Sequence, residues 1–122
     1  MADCVFCKIG AGQIPTQFVW QDEHAVAFRD IRPLAPTHVI IIPRRHAQTF
    51  GDLGDRDSGF LSSLGKAIRE IAEAEGVAAT GYRILSNNGH DGGQEVPHLH
   101  LHLLGGRELG PMLVRRSKES GV

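Results

Sequence analysis

Short apolar runs bounded by turn residues predict the strands of this chain. The run at 37–43 is apolar almost throughout, which is typical of a strand buried on both faces of a sheet. The run at 96–104 instead alternates between leucine and other residues, which predicts a strand with two differently lined faces. The predicted strands are 18–21, 25–28, 37–43, 82–87 and 96–104.

Between residues 57 and 75 the apolar residues recur every three or four positions instead of every two. This period predicts an amphipathic helix that ends before Gly76, with charged residues on its opposite face. The apolar face of the predicted helix carries Phe60, Leu64, Ile68 and Ile71. Several antiparallel strands combined with one long helix make an α+β domain.

The chain has 122 residues, of which 41% are hydrophobic and 22% charged. This length predicts a single domain, 1–122, with a core at about 4–113 and a polar tail at 114–122. The 13 Lys and Arg residues are balanced by 14 Asp and Glu residues, which gives a formal net charge of −1. Without an excess of basic residues, a nucleic-acid polymer is not an expected partner. We find neither a run long enough to cross a bilayer nor a signal-peptide pattern, so we expect a cytoplasmic protein with no membrane partner.

Two cysteines, Cys4 and Cys7, form a C-x-x-C motif. This motif can be half of a zinc site, since the seven histidines of the chain can supply further ligands. It can equally be a pair of small, partly buried residues with no metal. A thioredoxin-like redox pair is less favoured, because that motif follows a strand and only three residues precede Cys4.

The three histidines of the last predicted strand alternate with leucines. His98, His100 and His102 therefore share one face of the strand, and the leucines face the core. At a rise of about 3.3 Å per residue, the first and third histidines lie roughly 13 Å apart. Ligands of one zinc ion must all approach within about 2.1 Å of it, so we expect the triad to be divided between different tasks.

A glycine-rich loop, 88–94, precedes the histidines. Glycines allow the backbone to approach a ligand closely, and backbone N–H groups in such loops can form an anion-binding nest. Asn87 and Gln94 add side-chain donors. A histidine next to such a loop is suited to attack a phosphate-like electrophile.

Residues 92–106 (GGQEVPHLHLHLLGG) resemble the signature of the histidine triad superfamily. Further segments match in order and resemble the Hint branch of purine nucleoside phosphoramidases, especially bacterial members: 6–9, 13–15, 27–31, 35–38, 42–43, 81–83 and 110–112. The resemblance implies a HIT-like α+β fold, a mainly antiparallel sheet of about five strands with one long helix and a short N-terminal helix. It also implies a homodimer in which the sheet continues across both subunits, with helix 57–75 at the interface.

The resemblance also assigns catalytic residues. His100 would be the nucleophile, His102 would contact the phosphate or the leaving group, and His38 would orient a neighbouring histidine. The reaction implied is hydrolysis of the P–N bond of adenosine or guanosine 5′-monophosphoramidates through a nucleotidyl-histidine, which releases AMP or GMP. No catalytic cofactor is expected.

The expected nucleotide site is larger. Asp30 matches the residue that binds the ribose hydroxyls, and Asn87 matches a phosphate-side donor. The apolar slot for the purine would be formed by Phe6, Ile9, Phe28 and Ile31. The remaining expected contacts are Gly93, Gln94, Glu95 and Val96, together with His100 and His102.

Some bacterial and archaeal relatives hold a structural zinc ion, and the matching ligands here are Cys4, Cys7, His46 and His98. The chain departs from the family at Glu95, where many Hint proteins have a serine that binds the α-phosphate. An ionised carboxylate at this position cannot donate a hydrogen bond and repels a phosphate.

The sequence leaves open three alternatives to the phosphoramidase. The first is a dinucleoside polyphosphate hydrolase, related to the Fhit branch of the same superfamily. The second is a nucleotide-binding regulator with little catalysis, and the third is a zinc-binding module without activity.

Overall fold

The computed structural model describes residues 4–114. The predicted polar tail therefore lies outside the described residues, apart from Val114. None of the helices in this range is both long and apolar enough to cross a bilayer. The elements in chain order are α1 (Val5–Gly10), β1 (Phe18–Gln21), β2 (Ala25–Arg29), β3 (Thr37–Pro43), two 3₁₀ turns (Phe50–Asp52 and Asp55–Asp57), α2 (Ser58–Ala74), β4 (Tyr82–Leu85) and β5 (Leu101–Gly105).

The five strands form one sheet in the order β1-β2-β3-β5-β4, and every neighbouring pair is antiparallel. The central strand β3 is buried along its whole length, as its apolar sequence predicts. The predicted α+β class, the five-stranded antiparallel sheet and the short N-terminal helix are confirmed.

Alternate residues of β3 separate two apolar layers. Val39 and Ile41 pack in the larger layer, which includes the buried side of α2. Ile40 and Ile42 pack on the opposite side of the sheet, together with residues of α1. Because strand side chains alternate between faces, His38 points to the same side as Ile40, which is the α1 side of the sheet.

The long helix agrees with its prediction, since α2 spans Ser58–Ala74 against the predicted 57–75. Phe60, Leu64 and Ile71 are buried against the sheet. Gly76 follows the helix with a φ of +76°, the left-handed conformation that ends many helices and that glycine adopts without strain.

The prediction of a strand over 96–104 is wrong in its first half, because β5 begins only at Leu101. Pro97 has no N–H to donate, and neither has Pro43, which the register of β3 with β5 would place opposite Leu99. The Leu99 N–H instead donates to the carbonyl of Ala47 at 2.7 Å. The predicted strand 82–87 is also shorter than expected, since β4 pairs only as far as Leu85 with β5.

Candidate functional site

The cysteines of the C-x-x-C motif meet two histidines on the α1 side of the sheet. The nitrogen and sulfur atoms of Cys4, Cys7, His46 and His98 all lie within 4.8 Å of one another. His98 Nδ1 lies 3.2 Å from Cys4 Sγ, 3.4 Å from Cys7 Sγ and 3.2 Å from His46 Nδ1. A tetrahedral zinc ion with bonds of about 2.1–2.3 Å holds its ligand atoms roughly 3.3–3.8 Å apart. The four side chains therefore have the spacing of a closed metal site.

The tautomer of His98 also suits a metal ligand. Its Nε2 lies 3.1 Å from the carbonyl oxygen of Pro43, and a carbonyl only accepts, so Nε2 carries the proton. The lone pair on Nδ1 then points at the cysteines. Burial lowers the pKa of His98 to about 4, which keeps the ring neutral. Burial raises the pKa of the Cys7 thiol to about 11, so a thiolate at this position needs a nearby cation.

His100 lies two residues after His98 and is buried, and a backbone carbonyl orients its ring. Its Nδ1 lies 2.8 Å from the carbonyl oxygen of His98, so Nδ1 donates and Nε2 keeps its lone pair. The ring meets Phe6 edge to face, with centroids 5.1 Å apart. The side of His100 that can act as a base or a nucleophile is therefore Nε2.

A second histidine pair connects β3 and β5. His38 Nε2 lies 2.8 Å from His102 Nδ1 and 3.5 Å from Asp30 Oδ2. His102 pairs directly with Ile40, so His38 and His102 are diagonal neighbours on one face of adjacent strands. Ring centroids place His102 5.2 Å from His100.

Asp30, His38 and His102 are close enough to share a metal ion, but the hydrogen bonds of His38 oppose it. The Leu34 N–H donates to His38 Nδ1 at 3.1 Å, so in the neutral ring Nε2 carries the proton. Nε2 then donates to His102 Nδ1, and the proton of neutral His102 lies on its own Nε2. The group is a hydrogen-bond relay rather than a set of free ligand lone pairs.

Burial keeps the two histidines of this relay neutral. It lowers the pKa of His38, an effect that the Asp30 carboxylate partly offsets. Burial also lowers the pKa of His102 to about 4, with smaller contributions from His100 and His38 in the same direction. In the neutral rings, the Nε2 lone pair of His100 therefore lies beside the protonated Nε2 of His102.

The structure brings together three of the four predicted purine contacts. Phe6, Ile9 and Phe28 are buried in the apolar layer on the α1 side, and Phe6 contacts both Phe28 and His100. Ile31 lies outside this layer in the loop after β2, and it is 93% exposed.

The side chain of Gln94 holds the glycine-rich loop in place. Its Nε2 donates to the carbonyls of Gln48 at 2.7 Å and Val96 at 3.0 Å, and its Oε1 accepts from the Gly89 N–H at 2.9 Å. Both amide protons of Gln94 are therefore engaged by backbone carbonyls, and a phosphate contact would have to come from another group.

Free hydrogen-bond donors flank this loop on both sides. The N–H groups of Gly93 and Gln94 donate to carbonyls within the loop. Those of Glu95 and Val96 have no acceptor within residues 4–114, and neither does the side-chain amide of half-buried Asn87. These three groups are available to an anion, whereas the predicted nest at Gly93 is occupied by the loop's own carbonyls.

Several groups that shape the site were not predicted from the sequence. Ser86 donates its hydroxyl to the carbonyl of His100 at 3.0 Å, and the carbonyl of Pro43 orients His98. Leu34 orients His38 through its backbone, which no side-chain pattern could indicate. Only the position of Ser86 at the end of a predicted strand next to the loop offered a signal.

An α+β domain with a five-stranded antiparallel sheet and a histidine site on one face is the class of protein that these observations define. A sequence model of the HIT domain family matches residues 11–109. The chain therefore belongs to the HIT domain family.

Similar proteins span nearly the same length. A protein of Escherichia coli (strain K12) named purine nucleoside phosphoramidase is 46% identical over 114 residues, which cover 93% of this chain and 96% of that protein. Protein HitA of Neisseria gonorrhoeae is 41% identical over 105 residues, 86% of this chain and 97% of its own. The crystal structure of a HIT family hydrolase from Legionella pneumophila Philadelphia 1 superposes with a TM-score of 0.83 at 49% identity, covering 88% of this chain and 96% of that one.

Proposed function

We propose that this protein is a nucleoside phosphoramidase that hydrolyses the P–N bond of adenosine or guanosine 5′-monophosphoramidates. The observation that carries the proposal is the orientation of His100, whose Nδ1 donates to the His98 carbonyl. This hydrogen bond leaves the lone pair on Nε2, the nitrogen that must attack phosphorus. The name of the Escherichia coli relative supports the same reaction.

In the proposed reaction, His100 Nε2 forms a bond to the α-phosphorus while the P–N bond of the substrate breaks. Water then cleaves the nucleotidyl-histidine and releases AMP or GMP. The leaving nitrogen takes a proton from the site as the P–N bond breaks. The one water consumed in the second step gives its hydroxyl to phosphorus and returns a proton to the site. The covalent intermediate divides one difficult displacement into two easier ones.

His102 would donate a hydrogen bond from Nε2 to the transferring phosphoryl group or to the leaving nitrogen. The relay from His38 supports this role, since it holds the His102 proton on the outer nitrogen. Preorganised donors of this kind stabilise charge that develops in the transition state.

The nucleotide would lie between the apolar layer and the glycine-rich loop. Phe6, Ile9 and Phe28 supply a flat apolar wall for a purine. Asp30 Oδ1 accepts the Arg32 N–H, and its remaining lone pairs are suited to the ribose hydroxyls. The free N–H groups of Glu95 and Val96 and the amide of Asn87 are suited to the phosphate, as is the neighbouring relay.

We also propose a structural zinc ion held by Cys4, Cys7, His46 and His98. The four-ligand set leaves no open position, so the ion would supply stability and no chemistry of its own. It would join α1, the segment after β3 and the residues before β5 at one point. The carbonyl of its ligand His98 is the same group that orients His100.

The homodimer and the cytoplasmic location stay predictions from the sequence. β1 and β4 are the edge strands of the described sheet, so either edge is available for a second subunit.

The test is release of AMP from adenosine 5′-phosphoramidate by the wild type and by His100→Asn. We expect the substitution to lower kcat at least about 10³-fold while AMP binding by calorimetry is retained. His90→Asn, which changes a fully exposed histidine of the glycine-rich loop, is the matched control.

Rapid acid-free quenching followed by mass spectrometry should detect a nucleotidyl adduct on the wild type only. A diadenosine polyphosphate measured in parallel distinguishes the nearest alternative. Faster hydrolysis of that compound than of the phosphoramidate would reject the proposal.

A further inference from the structure

The loop between β2 and β3 is unusual in that one of its backbone amides serves the histidine site. Leu34 donates its N–H to His38 Nδ1 at 3.1 Å, and its carbonyl accepts from Arg107 Nη2 at the same distance. The Leu34 side chain is mostly exposed. Its position is therefore determined by the backbone contacts and not by packing in the core.

The rest of the loop is held so that this amide has a defined place. Asp30 donates its N–H to the carbonyl of His38, which closes the loop at its base. Asp30 Oδ1 accepts the Arg32 N–H at 2.7 Å inside the loop. Gly106 packs directly against Pro36, since a Cβ at Gly106 would lie 2.8 Å from the Pro36 ring.

Arg107 is the side chain that fastens the centre of this loop. Both of its hydrogen bonds go to backbone carbonyls, those of Leu34 and Glu108. Arg107 follows β5, which carries His102, so its guanidinium connects the end of the histidine strand to the loop that orients His38.

The consequence is a series of fixed tautomers. A backbone N–H can only donate, so it excludes a proton from His38 Nδ1 and assigns it to Nε2. His38 Nε2 donates this proton in a hydrogen bond to His102 Nδ1. The proton of neutral His102 must therefore lie on Nε2. Without the Leu34 N–H, both neutral tautomers of His38 become accessible, and the reversed one leaves His102 donating to His38 instead of to substrate.

We infer that Arg107 is a positioning residue, which holds the Leu34 amide against His38 and thereby keeps the His102 proton on the nitrogen that faces substrate. The catalytic part of this inference rests on the proposed function. The tautomer part does not, because it concerns the ligand-free protein.

The experiment is ¹⁵N NMR of the imidazole nitrogens in histidine-labelled protein at neutral pH, for the wild type, Arg107→Ala and Arg107→Lys. In the wild type, His38 and His102 should both show a protonated Nε2 and an unprotonated Nδ1. In Arg107→Ala, their nitrogen shifts should move toward the average of the two neutral tautomers. Arg107→Lys, which can still donate to the Leu34 carbonyl, should restore most of the wild-type shifts.

Two controls separate this effect from a general disturbance. The signals of His100 should stay in place, because its proton is assigned by the His98 carbonyl and not by the loop. Arg32→Ala removes another exposed arginine of the loop but keeps the N–H that Asp30 accepts, so it should leave the tautomers unchanged.

If the proposed function also holds, kcat for a phosphoramidate should fall by about tenfold in Arg107→Ala with little change in KM, since a hydrogen-bond donor is only partly lost. Wild-type imidazole shifts in a folded Arg107→Ala would overturn the inference. Altered tautomers in a protein whose wild type releases no AMP would instead reject the proposed function and leave the positioning role intact.

Discussion

The imidazole rings of the site differ in which nitrogen carries the proton, and for His98, His100 and His38 a backbone group decides. His98 donates from Nε2 and His100 donates from Nδ1, each to a backbone carbonyl. His38 instead accepts a hydrogen bond from a backbone N–H at Nδ1. These three rings are at least nine-tenths buried, so they can form hydrogen bonds only with the partners that the fold supplies. Chemically identical side chains therefore acquire different roles.

The neutral state of His102 predicts a pH dependence of stability. Burial lowers its folded-state pKa from 6.5 to about 4, so between these values the unfolded chain binds a proton that the folded chain does not. The free energy of unfolding therefore falls as the pH falls through this window. Removing the ring should remove this contribution.

Urea unfolding of the wild type and His102→Asn at pH 7 and pH 5 measures the contribution of His102 to the pH dependence of stability. The loss of stability between the two pH values should be smaller in the variant by about 1–2 kcal/mol, allowing for partial solvent exposure of the ring. Loss of metal at low pH would affect both proteins and cancel in the difference. Equal losses in both would contradict a depressed pKa at His102.

Glu95 is an exposed acidic residue directly beside the proposed phosphate donors. Two unit charges about 4 Å apart in water interact by about 1 kcal/mol, so Glu95→Gln should strengthen AMP binding roughly two- to fivefold at low salt. The gain should shrink at high salt, where exposed charges are screened. Calorimetry at two salt concentrations tests this.

Asp91→Asn is the matched control for Glu95, since Asp91 is a fully exposed acidic residue of the same loop. We expect it to change AMP binding less than Glu95→Gln does. Equal effects of the two substitutions would mean that only the net charge of the protein matters.

At the level of elements, the cysteine cluster joins the start of α1 to two segments that are distant from it along the chain. α1 has six residues, too few to be stable alone, and its first turn lies beside the segments that carry His46 and His98. Arg45, which precedes His46, forms a bidentate ion pair with buried Asp57 at the start of α2. Fixing His46 therefore also fixes the connection between β3 and α2.

Cys4→Ala should release the proposed zinc ion and lower the thermal midpoint by about 10 °C or more, because the binding free energy of the ion is lost from the folded state. Elemental analysis of purified protein and thermal unfolding measure the two effects. Val5→Ala, at the neighbouring exposed position, should retain the metal. Wild-type protein purified without added metal and found to contain no zinc would exclude the site.

For the whole molecule, the sheet separates two kinds of packing. One face carries α2 and the larger apolar core, and the other carries α1, the cysteine cluster and the histidine relay. The exposed side of α2 still carries apolar Leu61, which is 46% exposed, and Gly65, where an added Cβ would meet no atom of the described chain. This side of α2 is open to a second subunit.

If two subunits meet along α2, light scattering should give twice the mass of the chain for the wild type. Leu61→Asp should shift the protein toward the monomer, because a charge would be buried without a partner. Ser62→Asp, one position further around the helix, is the control and should have the smaller effect. A monomeric wild type would reject the predicted dimer.

The periodicity of the sequence was sufficient for the class of fold, the number of strands and the bounds of α2 within one residue. Local pattern determines these features because burying an apolar face requires a period of 2 in a strand and 3.6 in a helix. The strand rise also predicted that the three histidines serve different tasks; the structure places His98 and His102 in separate clusters, although β5 begins only at Leu101.

Only the folded chain decides where strand pairing stops and which ring nitrogen is free. β5 starts at Leu101, because the Leu99 N–H, which this register would place opposite Pro43, donates to the carbonyl of Ala47 instead. The proton of His98 depends on a carbonyl 55 positions away, and that of His102 on a histidine 64 positions away. Such contacts have no local pattern, because hydrogen-bond partners are chosen by proximity in space and not by spacing along the chain.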